Sequence, residues 1–205
     1  MYVPKEFSPE DRSEIYDFLK NNPFGTLISN SENLEPVATH LPFLTRTTSD
    51  DIVLEGHLAR NNKHAELLRD GKTALIIFHG PHAYISSSVY GHQNVPTWNY
   101  QAVHVYGVIS LMNEAELIRH LEEMVEHHES GREHQLDYAS LPEELLTAYR
   151  KDILGFRITS YRIEAAFKLS QNRNESDFKR IIDDLSKDKK NRSIIEAMNR
   201  SRNLE

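Results

Sequence analysis

Between Phe24 and Met112 the chain is too finely punctuated to form long helices. Residues 24–29, 34–44, 52–58, 73–79, 83–88 and 101–112 are short apolar or alternating segments that read as strands. The polar stretch 46–51 and the pairs Asp70-Gly71 and Gly80-Pro81 separate them as turns. A parallel nucleotide-binding sheet needs a helix between successive strands, and no such alternation is present. Closely spaced strands with short turns predict an antiparallel, barrel-like sheet with helical additions, a mainly β chain of the α+β class.

The helices fall around this block. Ser8, Pro9 and Asp11 mark a start, with Ser8 as the cap, and the helix stops at Asn21-Asn22-Pro23. A short helix is expected over 61–69, one after Asn113-x-x-Glu116 and another after Ser140-x-x-Glu143. A last long strand is expected over 154–169. Beyond Asn174, Phe178, Ile181, Ile182 and Leu185 follow helical spacing, and Ile194, Ile195 and Met198 mark a second tail helix. The expected division is a barrel domain over 1–170 and a helical tail over 171–205 packing on or near it.

Composition closes off several classes of function. The chain has 205 residues, 39% of them hydrophobic and 27% charged, the profile of a water-soluble globular protein. No apolar run approaches a membrane span and no signal pattern opens the chain, so a cytoplasmic location without membrane contact is expected. The absence of cysteine excludes disulfides, thiolate metal sites and cysteine nucleophiles. A net charge of −7 repels nucleic acid, so DNA contact needs a local basic patch. Lys187, Lys189, Lys190, Arg192, Arg200 and Arg202 in the tail offer one, but Asp183, Asp184, Asp188 and Glu196 interleave with them. A solvated tail is the plainer reading.

Four stretches carry the candidate chemistry. LEGHLARNNKHAELL (54–68) runs from a strand into a helix, and its start groups Arg60, Asn61 and Lys63 where a phosphate would find cations and free N–H groups. A simple capped turn with solvated charges is the alternative. His79 and His82 flank Gly80-Pro81, but without a nearby acidic third ligand they read as hydrogen-bonded sheet histidines, and no metal is expected. HHESGREH (127–134) reads as a solvated helix end. VPTWNYQAVHVYG (95–107) holds the only tryptophan. A Val-Pro step keeps its start extended, and in a strand Trp98 and Tyr100 share one face while Asn99 and Gln101 take the other. Flat aromatic surface beside amides suits a planar ligand with polar edges, and plain core packing fits almost as well. No nucleophile, Walker or dinucleotide motif is present, so no catalytic residue is assigned.

HLPFL (40–44), LEGHLARNN (54–62), IIFHGPHAYIS (76–86), VPTWNYQAVHVYG (95–107) and FKLSQNR (167–173), following an MYVPKEF start, together resemble the PaiB family of FMN-binding negative transcriptional regulators. More distantly the chain is similar to the split barrels of the pyridoxamine-phosphate-oxidase type. The resemblance covers nearly the whole chain. It implies an antiparallel split β-barrel, a homodimer, and FMN at the dimer interface. The strand-to-helix turn, His57 to Lys63, is then the phosphate site, with Arg60 and Asn61 leading, Lys63 beside them, and Thr39 and His40 within reach. Trp98, Asn99 and Tyr100 would lie near the ring, and Lys168 and Gln171 of the KLSQN motif would stand near the pocket. The alternatives are a flavin-dependent oxidoreductase and, further off, a haem-handling protein.

Overall fold

The computed structural model describes residues 1–9, 11–48 and 51–202. Its strands are β1 (Phe24–Asn30), β2 (Pro36–Pro42), β3 (Leu44–Thr47), β4 (Ile52–Ala59), β5 (Thr73–Ile85), β6 (Thr97–Leu111) and β7 (Ile153–Lys168). The helices are α1 (Arg12–Asn21), α2 (Glu114–Glu129), α3 (Glu143–Lys151), α4 (Glu175–Leu185) and α5 (Arg192–Arg200). The strands form one antiparallel sheet in the order β2-β1-β5-β6-β7-β4-β3. None of the described helices is long and apolar enough to cross a membrane.

The chain divides into two compact units. The first comprises Met1–Phe18, Phe78–His104 and the chain from Glu164 on; the second comprises Leu19–Ile77 and Val105–Ile163. The second unit buries Leu27, Leu41, Phe43, Ile52, Leu54, Ile76, Ile109, Phe156 and Ile158, with Phe43 and Phe156 edge to face at 6.2 Å. The first buries Phe78, Ile85, Val103, Phe167, Phe178, Ile181, Ile194 and Met198, so both tail helices contribute to its core.

Backbone chemistry explains where the elements depart from the sequence pattern. The expected strand over 34–44 is two strands, β2 and β3. Pro42 has no N–H, and Phe43 donates its own to the Pro23 carbonyl at 2.9 Å while its ring enters the core. Conversely, Gly80-Pro81 does not break β5. β1 has seven residues against thirteen in β5, so β1 can pair with only part of β5, and proline is tolerated in a strand where no ladder bond is needed from its nitrogen. A Cβ on Gly80 would stand 2.6 Å from Phe18, so glycine lets that ring approach the strand. The expected strand over 83–88 is therefore the end of β5 followed by a 3-10 turn at Ser87–Val89.

Two helix starts also differ. Asp11, not Ser8, accepts the Ser13 N–H at 2.8 Å, and α1 begins at Arg12. Glu10 lies outside the described residues. Ser140 does not cap α3: its hydroxyl donates to the Asp137 carbonyl, and α3 starts after Pro142 without a side-chain cap. By contrast, Asn113 and Glu116 form the full capping box of α2.

Candidate functional site

The turn after β4 belongs to the second unit. Its helix is shorter than the sequence suggests: a single 3-10 turn at Lys63–Leu67. Five residues carry too few aligned peptides for a useful macrodipole, so side chains must supply any anion affinity here. The turn itself is pinned. Asn62 accepts the His64 N–H at 3.0 Å and donates to Thr39 Oγ1 at 3.4 Å, and Thr39 Oγ1 lies 2.8 Å from His64 Nδ1. His64 is fully buried, burial pushes its pKa down, and its Nε2 has no partner among the described residues. The Arg60 N–H reaches the Asp152 carbonyl at 2.7 Å. On this fixed backbone Arg60, Asn61 and Lys63 are exposed, and their side chains make no hydrogen bond or ion pair among the described residues. Guanidinium, amide and ammonium donors on three neighbouring positions match an oxyanion. On β2 beside Thr39, exposed His40 stacks on Phe24 at 6.3 Å.

His57 stands apart from that group. Its Nδ1 faces Nε2 of His120 on α2 at 2.9 Å. Glu55, two residues earlier on the same face of β4, is 5% exposed and accepts from Arg46 Nε at 2.9 Å and Arg157 Nε at 3.1 Å. The Arg157 guanidinium also meets Glu116 at 2.7 Å, and Arg46 meets Glu123. The Asn113 N–H, then Arg157, hold the Glu116 carboxyl below its ordinary range.

The first unit contains an open pocket of about 450 Å³ lined by Trp98, Tyr100, Gln101, His79, His82 and His104, with Met1, Gly80 and Ala102 completing the wall. Trp98 is 47% exposed and donates its indole N–H to His82 Nδ1 at 3.2 Å. Since indole is only a donor, His82 Nδ1 is the acceptor and the neutral ring carries its proton on Nε2. Tyr84 lies 5.9 Å from Trp98, centre to centre. Burial, followed by the charge of the N-terminus, holds His104 below its ordinary pKa. Trp98 and Tyr100 share this pocket, but so does Gln101, which strict strand alternation puts on the opposite face.

Three further predicted residues make contacts within the chain. Asn99 is fully buried; it donates to Ser170 Oγ at 2.9 Å, accepts from it at 3.1 Å, and touches Met198 Sδ at 3.5 Å. Gln171 closes the turn after β7, accepting the Leu169 N–H at 2.7 Å and donating to the Phe167 carbonyl at 2.6 Å. Lys168 donates to Thr97 Oγ1 at 2.5 Å. Ser170 adopts φ +62°, in the left-handed region, and its buried bond to Asn99 holds it there.

His64, Glu55 and His120 escaped the sequence reading. A histidine three residues past Leu117 and four before Met124, on the apolar stripe of α2, is the one available signal for His120. His127 and His128 sit on the last turn of α2.

A family model described as "Putative FMN-binding domain" matches residues 1–162. Protease synthase and sporulation protein PAI 2 of Bacillus subtilis is 42% identical over 185 residues, covering 90% of this chain and 89% of that protein. Among solved structures, the FAD and heme binding protein from Mycobacterium smegmatis superposes with a TM-score of 0.59 at 13% identity, over 78% of this chain and 73% of its own. The flavocytochrome Anf3 from Azotobacter vinelandii gives 0.60 at 13% identity, over 87% and 78%. At such identity the two structures speak to the fold alone, which is that of the flavin-binding split barrels.

Proposed function

The chain belongs to the PaiB-like family of FMN-binding domains, and from that premise we propose that it is an FMN-dependent regulatory protein that works as a homodimer with flavin at the interface. The observation that carries the reading is the Arg60–Asn61–Lys63 group, three exposed donors without partners among the described residues, on a turn fixed by Thr39, Asn62 and His64. FMN ends in a phosphate near −2 charge, and such a dianion is bound best by cations already held in place. At a dimer interface the phosphate turn and the aromatic wall can come from different protomers: Trp98 and Tyr100 line a pocket of the first unit whose volume suits a small planar molecule.

Bound FMN supplies hydride chemistry at its ring. The chain's own part is to orient the ring and to place polar hydrogens near it. His82 Nε2–H, the Tyr100 hydroxyl and the Gln101 amide are the groups in the pocket suited to that. The same lining supports the second reading, a flavin-dependent oxidoreductase; bleaching of the bound flavin by NADH or NADPH under anaerobic conditions separates it from a purely regulatory role. The tail weighs against direct reading of DNA phosphates, because Lys187, Lys190 and Arg192 pair with Asp184, Asp188 and Glu196.

Comparing FMN with riboflavin, which lacks the phosphate, tests the assignment directly. Wild type should bind FMN at least about tenfold more tightly, roughly 1.4 kcal/mol, and the double variant Arg60→Ala, Lys63→Ala should bind the two alike. Equal affinities in wild type, or flavin fluorescence unchanged by protein, would overturn it.

A further inference from the structure

We propose that the His57–His120 contact is an acid-labile latch that fastens α2 to β4 and opens when the pair takes up protons. This goes beyond the flavin reading and does not depend on it. The two rings meet edge to face, 5.2 Å between centres and 70° apart, with Nδ1 of His57 2.9 Å from Nε2 of His120. Such a contact needs one N–H and one lone pair. A doubly protonated pair has only N–H groups to offer, and two of them would point at each other across that distance.

The surroundings make proton uptake costly. His120 is 1% exposed, and its Nδ1 has no partner among the described residues, so a proton there is neither solvated nor shared. The charged groups acting on His120 are Glu55 on β4, Arg46 on β3 and Arg157 on β7; on α2, Glu123 and Glu116 pair with those two arginines. Glu55 is the buried anion nearest at hand, and both its oxygens are engaged by Arg46 and Arg157. Its charge is thus shared with two guanidinium groups, which Glu123 and Glu116 also engage, so its attraction for an imidazolium is offset in part while the loss of solvent is not. Consistent with this, burial, followed by the neighbouring His57, pushes the His120 pKa down to about 4. Among the described residues no group of three His, Cys, Asp or Glu side chains is placed to ligate a metal.

Once the two rings part, α2 still keeps Leu117 and Met124 in the core and the pairs Glu116–Arg157 and Glu123–Arg46.

Hydrogen exchange of the α2 amides, measured on the full chain without flavin between pH 7 and 4.5, tests the latch independently of cofactor binding. Wild type should lose at least tenfold more protection in α2 than in the core strands, and His120→Leu should show no such pH-dependent excess. A parallel loss in both proteins overturns the latch. Should the variant fail to fold, the histidine ring resonances of wild type decide: His57 and His120 both titrating at the ordinary imidazole value of about 6.5 overturns it equally.

Discussion

At the residue scale, a polar side chain in a candidate site can serve the fold or a ligand, and burial separates the two. Asn99 sits in the same aromatic run as Trp98, yet it is fully buried and satisfied by Ser170. Replacing Asn99 with Leu would strand the Ser170 hydroxyl and release its left-handed turn. We expect a loss of about 1–3 kcal/mol in urea denaturation, with FMN affinity changed less than twofold. Gly107 illustrates a backbone limit: an added Cβ would lie 2.6 Å from the Thr159 carbonyl oxygen and 2.4 Å from Ile158 Cγ2. Neither strand can give way without disturbing the sheet, so Gly107→Ala should cost about 2 kcal/mol or more by the same measurement. That Trp98 and Tyr100 line one pocket was legible from strand alternation, which needs no tertiary knowledge; that Gln101 lines it too was not. Asn99 could not be separated from them, since its role rests on Ser170, 71 residues away.

Several elements obeyed local rules, though the caps expected at Ser8 and Ser140 did not form. The capping box of α2, the strand β1 and both tail helices follow from patterns a few residues long. Other departures came where a distant partner decided the outcome: Pro23 draws Phe43 out of β2, and Phe18 crosses Gly80. The partner of His57 lies on α2, 63 residues along the chain, beyond the reach of any spacing rule. That contact has a thermodynamic sign. His57 and His120 both have lowered folded-state pKa values, so the unfolded chain binds more protons below pH 6.5. The contribution is complete above the ordinary value of 6.5 and is lost as pH falls toward about 4. For His120 alone the loss is on the order of 3 kcal/mol, so urea midpoints should fall steeply through this window in wild type and less in His120→Leu.

For the molecule as a whole, the tail is where the sequence division and the structure invite a direct experiment. Ile181, Leu185, Ile194 and Met198 are each at most 4% exposed, and Arg202 donates to the carbonyls of Ser170, Gln171 and Arg173. These contacts lie within the unit that holds the aromatic pocket. A chain ended after Gln171 should therefore lose its cooperative unfolding transition, read by circular dichroism, rather than behave as a trimmed but intact barrel. A truncated chain that melts like wild type would show the tail to be an accessory. The aromatic wall has an optical consequence as well. The molecule owns a single indole, that of Trp98, and it stands half open to solvent in the pocket. Light absorbed near the red edge of the protein spectrum, at about 295 nm, therefore excites one known place, and any change in the colour or lifetime of the emission reports on that place without an attached dye.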